Sequence, residues 1–227
     1  MARCKLWDDE KDCQVEELVA FNAPHEVLNA LIPEGREDEY CSLGENQQSY
    51  RQSAAEWGQR CGVDTALVQH LVCLALWGDN APFGTNNNLF LLVLTFLSGI
   101  HRTRIWICAF TKRQLCRCGC LGRCTYDTVF DVLAWSFTAL MLQRWPFVDH
   151  LSIPFPADSH RGKLARLGNP LRAMGCLLGN MGDWSWFKST FGLRGWRGEG
   201  PLKQICWLCT ASVAGRDSNI QDASCFC

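Results

Sequence analysis

The sequence predicts an α/β domain built on a mixed sheet, in the order strand, strand, strand, helix, strand, helix, preceded by an acidic, partly helical extension. Three observations carry that prediction. Apolar runs of strand length at 71–77, 89–97 and 104–110 follow one another with short connections, as in an antiparallel meander. A long apolar segment, 127–142, then carries helical spacing with apolar residues on nearly every side, so it is expected to be mostly buried. A further short apolar run, 171–178, returns after a polar, proline-containing connection, as a crossover strand does.

Taken in order, residues 1–64 read as the extension. Segment 15–31 has helical spacing broken at Pro24, the charged loop 33–39 follows, and 53–60 reads as another short helix. The main domain spans 65–205. Its first strand closes at Gly78-Asp79-Asn80-Ala81-Pro82, which reads as a turn and places Asp79 at the strand end. After the third strand comes a basic, cysteine-rich loop at 112–124, with Thr125 as the expected helix cap and Trp145-Pro146 as the stop. The fourth strand delivers Gly182-Asp183 near its end, and residues 206–227 form a cysteine-containing tail.

With 48% hydrophobic residues and ten Trp in 227 residues, the chain can bury a core of one to two domains and is not a disordered protein. The longest apolar run, 89–97, falls short of the roughly 20 residues a membrane helix needs, so no membrane partner is expected. The net charge of −1 hides a split: residues 1–60 hold thirteen acids and six bases, whereas 101–204 hold fifteen bases and six acids. A basic body suits a phosphate-bearing partner, DNA above all, although solvated surface charge explains it equally. Candidate nucleic-acid contacts are Arg113, Arg117, Arg123, Arg161, Lys163, Arg166, Arg172, Arg194 and Arg197, interleaved with Trp184, Trp186 and Trp196, which either stack on bases or belong to the core.

Fifteen cysteines would suggest a disulfide scaffold in an exported chain. Met1-Ala2-Arg3-Cys4 runs into Asp8-Asp9-Glu10 with no apolar signal segment, so reduced thiols in an intracellular protein are expected, with metal ligation open to them. Cys206-Trp207-Leu208-Cys209 has the spacing of half a Zn²⁺ site, and Cys225 and Cys227 are the nearest partners for it. Cys116, Cys118, Cys120 and Cys124 form the densest cluster. Its crowding makes four ligands on one ion geometrically demanding, so free thiols in a surface loop stand beside a soft-metal site as readings.

An acid at the first strand and another after the fourth is the layout of the RNase H-like fold, in which those two strands are neighbours. Asp79 and Asp183 would then converge as ligands for divalent Mg²⁺ or Mn²⁺, the ions that clamp attacking and leaving oxygens in phosphoryl transfer. Turn formation is the competing reading of both. GDNAPF at 78–83 and GDWSWFKSTFGLRGWRGEGPLKQICWLC at 182–209 resemble the catalytic core of CACTA-type (En/Spm-like) DDE transposases, over roughly residues 70–210.

That resemblance implies Asp79 and Asp183 as the first two catalytic, metal-binding acids, Cys206 and Cys209 as the family's cysteine pair, DNA as partner and a nuclear location. The family's third acid has no counterpart among Glu199, Asp217 and Asp222, so the resemblance implies a truncated, inactive core. The chain also resembles repeated protist sequences that carry the CRCGCLGRCTYD element, which points to a mobile-element origin. The alternative expectation, from another class, is a non-catalytic zinc- and nucleic-acid-binding interaction protein.

Overall fold

The computed structural model describes residues 1–42, 48–68, 70–83, 87–100, 103–182, 186–187 and 190. The chain divides into two compact units, Met1–Met181 and Gly182–Cys227. The first unit is mixed α/β. It begins with a hairpin of β1 (Ala2–Asp8) and β2 (Cys13–Val19), continues through α1 (Pro24–Leu31), α2 (Asp38–Cys41), α3 (Gln48–Cys61) and α4 (Thr65–Val68), and enters the main sheet with β3 (Leu71–Phe83), β4 (Asn87–Phe96) and β5 (Arg104–Thr111). A 3-10 turn, Lys112–Gln114, leads to the long helix α5 (Arg123–Met141), then α6 (His160–Leu167) and β6 (Met174–Gly182).

The mixed sheet has the order β5-β4-β3-β6, so its first strand lies beside its last. The meander β3-β4-β5 is antiparallel, with Leu76 opposite Leu94 and Leu92 opposite Cys108. Alternation then decides the faces. Leu74 and Leu76 on β3, Phe90, Leu92 and Leu94 on β4, and Cys108 and Phe110 on β5 are all buried. α5 and α1 cover that side: Tyr126 of α5 lies 5.4 Å from the Phe90 ring, and Leu140 and Leu28 converge with Leu74 on Gly175 of β6. On the opposite side, Ala54 and Trp57 of α3 and Val68 of α4 pack over Leu71, Cys73 and Cys176.

Three sequence expectations are corrected. β3 does not stop at Gly78; it runs to Phe83, and Asp79 sits within the hairpin opposite Leu91. Pro82 is tolerated because it falls near the hairpin end, where a missing N–H breaks little of the ladder. Residues 15–19 are strand, not helix: α1 starts at Pro24, whose fixed φ and absent N–H suit the first helical turn, so the proline opens a helix instead of interrupting one. The fourth strand is displaced to 174–182.

The hairpin packs by strict alternation. Ala2, Cys4 and Leu6 of β1 are buried and face α5, while Arg3 and Lys5 between them are exposed. No helix among the described residues is long and apolar enough to cross a membrane.

Candidate metal centre

The cysteine-rich loop lies between β5 and α5, and its backbone folds it back on itself. Gly119 (φ 95°), Leu121 (φ 56°) and Gly122 (φ 86°) all occupy the left-handed region within four residues. Three such turns reverse the loop so tightly that Sγ atoms far apart in an extended chain meet. The Sγ atoms of Cys116, Cys118, Cys120 and Cys124 all lie within 4.8 Å of one another. The four are free thiols gathered into one cluster, so the crowding expected to hinder four ligands on one ion instead brings them together.

The spacing is compatible with one tetrahedral ion. Four sulfurs around Zn²⁺ at about 2.3 Å stand about 3.8 Å apart along each tetrahedral edge. Cys118 Sγ and Cys124 Sγ are already 3.8 Å apart. The four cysteines could hold a metal ion, and thiolates select soft or borderline ions such as Zn²⁺.

Neighbouring elements fix the loop. The Cys116 N–H donates to Thr125 Oγ1 (3.0 Å), and the same hydroxyl donates to the Lys5 carbonyl (2.6 Å). Thr125 is fully buried, so one side chain joins β1, the loop and α5. It is not the cap expected from sequence: Gly122 holds the N-cap position, and its N–H donates to the Cys116 carbonyl (3.0 Å). From β2, Gln14 Nε2 donates to Cys116 Sγ (3.3 Å), and Arg117 pairs with Asp9 at the hairpin turn (3.0 Å). Neither Gln14 nor Asp9 carries a metal-site signal in sequence; only the hairpin, itself missed, brings them here.

The cluster is electrostatically uneven. Burial opposes ionisation of Cys120, but the Cys124 backbone N–H (3.5 Å) and the neighbouring thiols outweigh it and hold Cys120 at about 6. Burial pushes Cys116 up to about 12, against the Cys118 backbone N–H that favours its thiolate. The Cys124 thiol is raised chiefly by its hydrogen bond with Cys120. The surroundings therefore favour a thiolate at Cys120 over one at Cys116 or Cys124.

The other expected site residues fall differently. Asp79 is half-buried on β3, whereas Asp183, Cys206, Cys209, Cys225, Cys227, Arg194, Arg197, Trp184 and Trp196 lie outside the described residues. Trp186 is fully buried, which removes it from the exposed stacking residues.

Among the basic residues, Arg161 makes a two-point pair with Glu26 (2.5 and 2.9 Å) and lies over Trp135 and Phe155. Arg172 donates to the Asn29 and Ile32 carbonyls (3.2 and 3.0 Å). Arg123 pairs with Asp127 (3.7 Å), and Arg113, Lys163 and Arg166 are exposed. No protein-family model, curated protein or solved structure matches the chain.

Proposed function

We propose that this chain is a non-catalytic zinc-binding module in which Cys116, Cys118, Cys120 and Cys124 hold one Zn²⁺ as a closed structural site. The observation that carries the reading is the convergence of four Sγ atoms within 4.8 Å, with one pair already at the tetrahedral edge length. Four protein ligands leave no open position for substrate or water, which is the mark of a structural ion and not a catalytic one. Its role is to pin the loop to α5 and to the β1-β2 hairpin, presenting the exposed Arg113, Arg117 and Arg123 around it. Those side chains make DNA or RNA the partner class this reading favours.

Metal analysis of the purified full chain tests it. Wild type is expected to carry one more equivalent of zinc than Cys116→Ser/Cys120→Ser; equal zinc in the two overturns the site. The subtraction matters because Cys206, Cys209, Cys225 and Cys227 could bind zinc of their own.

One observation favours a second reading, a transposase-derived RNase H-like core. The order β5-β4-β3-β6 sets the strand that bears Asp79 beside the strand that leads to Asp183. In that reading both acids bind Mg²⁺ or Mn²⁺ and act on DNA, within a nuclear protein. Metal-dependent nicking of plasmid DNA that disappears in Asp79→Asn supports it, and nicking unchanged in that variant removes Asp79 from the role.

A further inference from the structure

The four sulfurs are not equivalent, and their differences mark a place where the centre can be opened. Cys116 Sγ is buried and accepts from Gln14 Nε2 and from the Cys118 backbone N–H. Cys120 Sγ accepts from the Cys124 backbone N–H. Such N–H···S bonds draw charge from a thiolate and make it a poorer nucleophile. Among the described residues no N–H donates to Cys118 Sγ or Cys124 Sγ; the partners they have are the cluster's own sulfurs.

Cys118 is also the exposed member of the four, and its sulfur already stands 3.8 Å from that of Cys124. Between them lie Gly119 and Gly122, whose positive φ values turn the loop so that the two sulfurs stand side by side. The two ligands with the least damped charge are thus adjacent, and one of them meets solvent.

We propose that Cys118 is a peroxide-oxidisable modification site and that Cys124 resolves it, so that oxidation of this pair ejects the zinc. The inference rests on the zinc-binding reading above. The Cys118 thiolate attacks one oxygen of a hydroperoxide; an S–O bond forms, the O–O bond breaks, and the departing oxygen takes a solvent proton to leave as water or an alcohol. The Cys124 thiolate then attacks the Cys118 sulfur, forming the S–S bond and expelling hydroxide, which is protonated to water. Two electrons pass from the two thiolates to the peroxide. Zinc is left with Cys116 and Cys120 alone, and two thiolates do not retain it against solvent.

The test uses the zinc-loaded full chain, with Cys206, Cys209, Cys225 and Cys227 changed to Ser in every variant and in the reference called wild type. It treats this chain with hydrogen peroxide, follows zinc release with a colorimetric chelator, and maps disulfides by peptide mass spectrometry. Wild type is expected to release one equivalent with a Cys118–Cys124 disulfide. Cys118→His and, separately, Cys124→His keep four ligands but break the sulfur pair, and should release zinc about ten-fold more slowly or not at all. A disulfide at Cys116–Cys120, or release from both His variants at the wild-type rate, overturns the inference while leaving the metal site standing. Absence of zinc at these cysteines before peroxide is added overturns the metal reading itself.

Discussion

Thr125 shows how much of the centre depends on one hydroxyl. It accepts from Cys116 and donates to Lys5 inside the core, so replacing it with an isosteric apolar side chain strands a buried N–H and a buried carbonyl together. Thr125→Val is expected to cost about 2–4 kcal/mol in urea unfolding and to weaken zinc retention. The sequence shows a Thr at the start of a helix and suggests a cap; that the hydroxyl serves β1 and the loop depends on a contact 120 residues away.

His25 carries a second prediction at this scale. It is buried against Trp135 and Trp145, with Nδ1 2.8 Å from Ser136 Oγ, and burial lowers it from 6.5 to about 4. Below 6.5 the unfolded chain therefore binds a proton that the folded chain refuses. The contribution to stability is fully present above pH 6.5 and is lost as pH falls toward 4, amounting to about 2–3 kcal/mol by pH 4.5. Urea unfolding at pH 7 and 4.5 should show His25→Gln losing less than wild type by that amount; parallel losses would show that His25 does not titrate in this window.

At the scale of elements, the start of α5 is set by Gly122. Its φ of 86° suits glycine, and a Cβ built there would stand 3.2 Å from Tyr126 Cε2. Gly122→Ala is expected to cost about 1–3 kcal/mol, from the left-handed backbone and the displaced Tyr126, read as a lowered urea midpoint with an unchanged slope.

The existence and order of the four main-sheet strands and of α5 were legible because each contains an apolar run, although the runs did not fix the ends of β3 or β6. The β1-β2 hairpin was not. β2 is exposed along most of its length, so Val15, Leu18 and Val19 mimic helical spacing without a buried face to set the period. The extension of β3 past Gly78 was hidden for a related reason: Gly, Asp and Pro signal a turn locally, while cross-strand pairing with residues 87–92 decides otherwise.

For the whole molecule, the sulfur cluster links pieces that sequence separates. The hairpin reaches it through Gln14 and Asp9, β1 through the Lys5 carbonyl, and α5 through Cys124 and Thr125. Cysteine count and spacing announced possible metal chemistry, but the same crowding argued against four ligands on one ion. What settles the convergence is backbone handedness at residues 119, 121 and 122, and Leu121 gives no warning of a positive φ.

The proposed function requires one zinc ion among these four sulfurs. X-ray absorption at the zinc edge tests it most directly, on the full chain with Cys206, Cys209, Cys225 and Cys227 changed to Ser. One zinc per chain is expected, with a first shell of four sulfurs at about 2.3 Å. A chain without zinc, or a shell of nitrogen and oxygen in place of sulfur, would contradict it.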